Sequence, residues 1–145
     1  MKNLAIIVLL SCSTFLVAQE KPCSGKTYYS LEEALQEPDS VKVLDIAMQE
    51  PKLETLPAEI GMLVNLECLD ISFNRISALP AEFAKLQKLQ KLNLSGNRYM
   101  ANLPEVLKDL PLLQEVDLTE KPEWSKAKCD AAKAALPKAT VLTDK

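Results

Sequence analysis

The apolar residues of this chain fall in a rhythm with unequal steps that returns several times. In LECLDISFNRISALP, residues 66–80, Leu66, Leu69, Ile71, Ile76 and Leu79 are separated by 3, 2, 5 and 3 residues. The two-residue step puts Leu69 and Ile71 on one face of a short strand, with Leu66 entering from the preceding turn. Asn74 stands where the chain must turn, and its side-chain amide is suited to bonding the backbone of a neighbouring coil. Ile76 and Leu79 bring the chain back to the core, and Pro80 suits the start of a return segment. Phe83, Leu86 and Leu89 follow three residues apart, which predicts a helical or 3₁₀ stretch with one buried side.

The same order recurs along the chain. LQKLNLSGNRYMANLP (89–104) places Leu89, Leu92, Leu94, Asn97, Leu103 and Pro104 on the equivalents of Leu66, Leu69, Ile71, Asn74, Leu79 and Pro80. VKVLDIAMQEPKLETLP (41–57) supplies Val41, Leu44, Ile46, Leu56 and Pro57, with two extra residues near QEPKLE. LQEVDLTEK (113–121) supplies Leu113, Val116 and Leu118, and LPKATV supplies Leu136, Ala139 and Val141. The centres Leu44, Leu69, Leu92, Val116 and Ala139 lie 25, 23, 24 and 23 residues apart. No such unit buries its leucines alone, so stacking of coils must make the core.

This pattern resembles LxxLxLxxNxLxxLP of the leucine-rich repeat family, over residues 41–141. The resemblance implies an α/β right-handed solenoid, a short horseshoe with parallel strands on its concave face. The asparagine place holds Gln49 in the first coil and Lys121 in the last full one, so the asparagine ladder is complete only in the middle. Residues 19–40 read as an N-terminal segment and capping helix, 41–121 as the repeats, and 122–145 as a C-terminal cap with a last strand. In SLEEALQEP, Ser30 and Glu33 form a capping box, Pro38 stops the helix, and Leu31, Ala34 and Leu35 share one face. In the tail, Cys129, Ala132 and Leu136 are expected to face inward, and Trp124 to cover the last leucines.

The first residues change the picture of where the chain works. Lys2, the apolar run Leu4–Leu10 and Phe15-Leu16-Val17-Ala18 have the layout of a secretory signal peptide, residues 1–18, ending at Ala18. LLSC, residues 9–12, offers an alternative: a lipoprotein box lipidated at Cys12. The expected location is therefore exported, secreted or periplasmic, or alternatively a membrane-anchored lipoprotein. Cleavage would leave 16 basic against 20 acidic residues, which does not suit nucleic acid. It would also leave Cys23, Cys68 and Cys129, an odd number without zinc spacing. Cys129 reads as a buried, inert thiol. Cys68 reads as a small half-covered residue, with reactivity or pairing to Cys23 as alternatives.

Composition narrows the chemistry. The chain has no histidine, which removes histidine-based acid–base, nucleophilic and metal chemistry. Three glycines in the whole chain leave no phosphate-cradling loop. No cofactor, metal or catalytic function is expected. The family resemblance instead implies binding of another protein on the concave face, with membrane contact only if Cys12 is lipidated. The residues between the leucines would carry it. One inner row is Asp45, Asp70, Asn93 and Asp117, with Asp45 and Asp70 close and Lys91 leaning between Asp70 and Asp117. The row before is Val43, Cys68, Lys91 and Glu115. Past the strands come Ala47, Ser72, Ser95 and Thr119. Met48 and Phe73 occupy equivalent places and are expected to touch, while Arg75 and Arg98 follow the two ladder asparagines. Tyr99 falls at a normally aliphatic place and reads as core. The expected partner-binding set is Asp45, Met48, Asp70, Phe73, Arg75, Lys91, Asn93, Arg98 and Asp117.

Overall fold

The computed structural model describes residues 23–145, so the signal peptide and the Cys12 box lie outside the described residues. Six strands form one parallel sheet in chain order: β1 (Thr27–Tyr28), β2 (Val43–Asp45), β3 (Cys68–Asp70), β4 (Lys91–Asn93), β5 (Glu115–Asp117) and β6 (Thr140–Leu142). Each strand pairs only with its sequence neighbours, which is the topology of a stacked solenoid. Two α-helices, α1 (Leu31–Ala34) and α2 (Lys126–Ala135), stand at the two ends of this order.

Between the strands the chain returns through short 3₁₀ segments, Ala58–Met62, Ala81–Lys85 and Glu105–Asp109. Pro57, Pro80 and Pro104 immediately precede them in extended conformation, as a residue with a fixed φ and no N–H can at a helix start. Gly61 lets the first two returns pack closely. A β-carbon there would stand 2.8 Å from the carbonyl oxygen of Glu82. The core is the aliphatic ladder between sheet and returns, with Leu44, Leu66, Ile71, Ile76, Phe83, Leu86, Leu89 and Val116 fully buried.

The ladder asparagines hold adjacent coils together. Asn74 Nδ2 donates to the carbonyls of Ile46 (3.0 Å) and Ile71 (3.1 Å), while its Oδ1 accepts from the N–H of Gln49 (3.3 Å) and Leu53 (3.2 Å). Asn97 Nδ2 donates to Ile71 O (2.9 Å) and Leu94 O (3.2 Å), and its Oδ1 accepts from Ile76 N–H (3.0 Å). In the last coil Lys121 takes this place. It is fully buried, and its Nζ donates to Asn97 O at 2.6 Å. Burial pushes the Lys121 ammonium down to about 8, against the raising influence of Glu123, Asp144 and Asp117. The Asp144 carboxylate then closes the turn by accepting from the N–H groups of Glu120 (3.0 Å) and Lys121 (2.9 Å). These donors hold its pKa below the usual carboxylate value.

The ends depart from the sequence reading in two ways. The N-terminal segment is more than a capping helix. It adds β1, which pairs with β2, and a Cys23–Cys68 disulfide. Ser30 does cap α1, accepting from Glu33 N–H at 3.0 Å, but the helix ends at Ala34, and Pro38 opens a 3₁₀ turn, Pro38–Ser40. At the other end Val141, not Ala139, pairs with Val116. The ten residues of α2 lengthen the return, and the resulting two-residue shift preserves which face each side chain takes. Cys129, Ala132 and Leu136 face inward, and the buried Trp124 donates from Nε1 to Met100 O (3.0 Å).

Candidate functional site

Strand register puts the residues between the leucines into rows across the sheet. Val43, Cys68, Lys91, Glu115 and Thr140 form one row, and Asp45, Asp70, Asn93, Asp117 and Leu142 the other. Together with Cys23, Thr27 and Tyr29, the members of these rows on β2 to β5 line a shallow groove of about 340 Å³ along the strand face. Asp45, Asp70, Lys91, Asn93 and Asp117 therefore share one surface.

The acidic row carries a backbone task. Asp45 Oδ1 accepts from Ala47 N–H (3.1 Å), Asp70 Oδ1 from Ser72 N–H (2.9 Å), Asn93 Oδ1 from Ser95 N–H (3.0 Å) and Asp117 Oδ1 from Thr119 N–H (2.9 Å). Each side chain thus closes the turn that ends its own strand, which suits Asp and Asn specifically. Asn93 also donates from Nδ2 to Asp70 Oδ2 at 2.8 Å, so it bridges toward one of the two carboxylates it separates. Lys91 pairs with Glu115 in its own row at 3.5 Å, rather than with the aspartates. Asp45 and Asp117 each keep a second carboxylate oxygen outside these turn bonds, and the groove is acidic with a single lysine.

Met48 and Phe73 lie outside the groove lining, past the strand ends. They share an unusual backbone with Glu120 and Gly96, the four having φ of +52°, +53°, +58° and +68° at equivalent coil positions. This left-handed conformation disfavours a side chain, so Gly96 is the low-strain occupant of the place. Met48 and Phe73 are nevertheless 60% and 40% exposed. The Phe73 ring packs over Gly96.

Four further positions differ from expectation. Cys68 is 5% exposed and bonded to Cys23, because the N-terminal segment folds over it. Ser72 and Ser95 are buried rather than presented. Tyr99 is 64% exposed, because one extra residue in its coil lets Met100 take the buried place. Arg75 and Arg98 are exposed, and Arg75 lines a separate depression with Glu54, Thr55, Ser77 and Tyr99. The predicted set is therefore split between the strand groove and this loop flank. Tyr29, 66% exposed at the groove's N-terminal end, was missed. The readable signal for it was the β-prone run KTYY ahead of the capping box.

Among the described residues no group of three or more histidine, cysteine, aspartate or glutamate side chains is arranged to hold a metal ion. A family model described as a leucine-rich repeat region matches residues 10–141. No curated protein matches. Among solved structures, one of a leucine-rich repeat protein from Leptospira interrogans is 31% identical, with a TM-score of 0.46, over 68% of this chain and 30% of that one. The chain thus spans less than a third of that protein's length.

Proposed function

Because the chain belongs to the leucine-rich repeat family, we propose that it is a non-catalytic protein-binding module that docks its partner on the concave strand face. The observation that carries this reading is the in-register pair of rows lining one groove, from Tyr29 through Asp45, Asp70, Lys91 and Glu115 to Asp117. Their backbone is fixed on both sides, by ladder bonds and by the turn-closing carboxylates, so little order has to be imposed on binding. The groove is small, so affinity is modest or depends on several copies acting together.

The test is site-directed photocrosslinking in the native envelope. A photoreactive residue in place of Lys91 captures a discrete protein, whereas the same residue at Lys88, on a return segment, does not. Equal capture at both positions, or none at Lys91, defeats the reading.

Export belongs to the same proposal. A Cys23–Cys68 disulfide supports it, since such bonds persist in oxidising compartments. The alternative of an envelope-anchored lipoprotein rests on the sequence around Cys12 alone. Mass spectrometry of the mature N-terminus separates the two: a chain beginning at Gln19 supports secretion, and a diacylated Cys12 supports anchoring.

A further inference from the structure

The chain contains two arginines against many lysines, and both stand at the same place on adjacent coils, Arg75 and Arg98. Each directly follows a ladder asparagine whose amide is bonded at both ends. The backbone around them is fixed in turn: Arg75 N–H donates to Leu53 O (2.8 Å), and Phe73 N–H donates to Ser95 O (2.8 Å). The strands that lead into them, β3 and β4, pair directly, and paired strands lie about 4.8 Å apart, so the two arginines stand at the same place one coil apart. Both side chains are exposed.

Neither guanidinium has an ion pair or side-chain hydrogen bond among the described residues. The ion pairs Lys52–Glu50, at 3.0 Å, and Lys91–Glu115 leave both arginines out. Beside the pair lies a depression of about 380 Å³ lined by Arg75, Thr55, Ser77, Tyr99 and Glu54. It therefore combines a guanidinium, two hydroxyl donors and an exposed aromatic ring. Glu54 is the one acidic member and opposes an anion there.

We propose that Arg75 and Arg98 form an oxyanion clamp, a second binding site on the loop flank distinct from the strand groove. It takes a tetrahedral oxyanion, the head of a phosphate or sulfate ester. Guanidinium groups present planar pairs of donors that match such oxygens, and two of them at coil spacing reach one anion together. Thr55 and Ser77 supply hydroxyl donors, and Tyr99 supplies a flat surface for the organic part of the ester. Arginine suits this role better than lysine, which offers a point charge without the fork.

The experiment exploits there being only two arginines. In the ¹⁵N-labelled full chain, two Nε–Hε signals report the two side chains. The chain is titrated separately with phenyl phosphate, phenyl sulfate and inorganic phosphate. Both signals are expected to move together and saturate at one dissociation constant. Whichever ester saturates more tightly identifies the source of the oxyanion. Arg75→Gln and Arg98→Gln are each expected to weaken binding about tenfold, the equivalent of one charge-assisted hydrogen bond. Both side chains are exposed, so an unchanged melting temperature verifies the fold. Tyr99→Ser is expected to remove the preference for phenyl phosphate over inorganic phosphate. Movement of one signal alone, drift without saturation, or unchanged affinity in both glutamine variants overturns the clamp.

Discussion

The ring of Phe73 lies directly against the α-carbon of Gly96 on the next coil. A β-carbon at residue 96 would stand 2.6 Å from Phe73 Cδ1, closer than any side chain tolerates. Gly96 also has φ +68°, so alanine there suffers backbone strain as well as collision. Gly96→Ala is expected to destabilise the fold by about 1–3 kcal/mol, read from urea melts. Phe73→Ala in the same background restores part of the loss if the collision dominates. No restoration would assign the cost to the backbone alone.

Asn74 joins two coils through both ends of its amide. Asn74→Ala strands the N–H groups of Gln49 and Leu53 and the carbonyl of Ile46. The expected loss is roughly 2–4 kcal/mol. Asn74→Asp keeps the acceptor but places a carboxylate where Nδ2 met three carbonyls, so it is expected to lose at least as much. Denaturant midpoints that match wild type for either variant would contradict the ladder's role.

Lys121 gives stability an unusual pH dependence. Its folded pKa, about 8, lies below the ordinary lysine value of 10.5. Between these values the unfolded chain holds more protons than the folded one, so stability from this group rises with pH across that window. The gain is on the order of 1–3 kcal/mol. Comparison with Lys121→Met isolates it: the difference between wild type and variant shifts in favour of wild type from pH 8 to pH 10. A flat difference would show that the ammonium is solvated.

The Cys23–Cys68 bond closes a long loop, with a sequence separation of 45. In the chain-entropy account a loop of that length contributes about 4 kcal/mol. Reduction, or Cys23→Ser with Cys68→Ser, is expected to lower the melting temperature and to speed hydrogen exchange at Thr27 and Tyr28. Cys129 is buried, so in the native chain with Cys12→Ser a thiol reagent should report only the reduced pair among the described residues. Unchanged exchange at β1 would mean that the two-residue ladder suffices to hold the segment.

The coil itself was readable because its leucines recur with fixed steps, and a period survives local noise. Leu44, Leu69, Leu92 and Val116 are paired as the pattern predicts. The ends were less readable because they depart from the period. β1 is only two residues long, and α2 replaces a five-residue 3₁₀ return by ten residues of α-helix. Within the site, strand alternation placed Asp45, Asp70, Lys91, Asn93 and Asp117 on one surface. What alternation does not encode is the backbone conformation past each strand. The positive φ of Met48 and Phe73, the burial of Ser72 and Ser95, and the outward Tyr99 all follow from turn geometry rather than from polarity.

The two rows of the strand face differ in how freely their residues can be exchanged. Asp45, Asp70, Asn93 and Asp117 each close their own turn, so a substitution there alters the scaffold together with the surface. Val43, Lys91, Glu115 and Thr140 make no comparable backbone bond. Any drift toward a new partner is therefore channelled through one row. The concave face behaves less like a blank wall than like a keyboard on which only alternate keys are free to be relabelled.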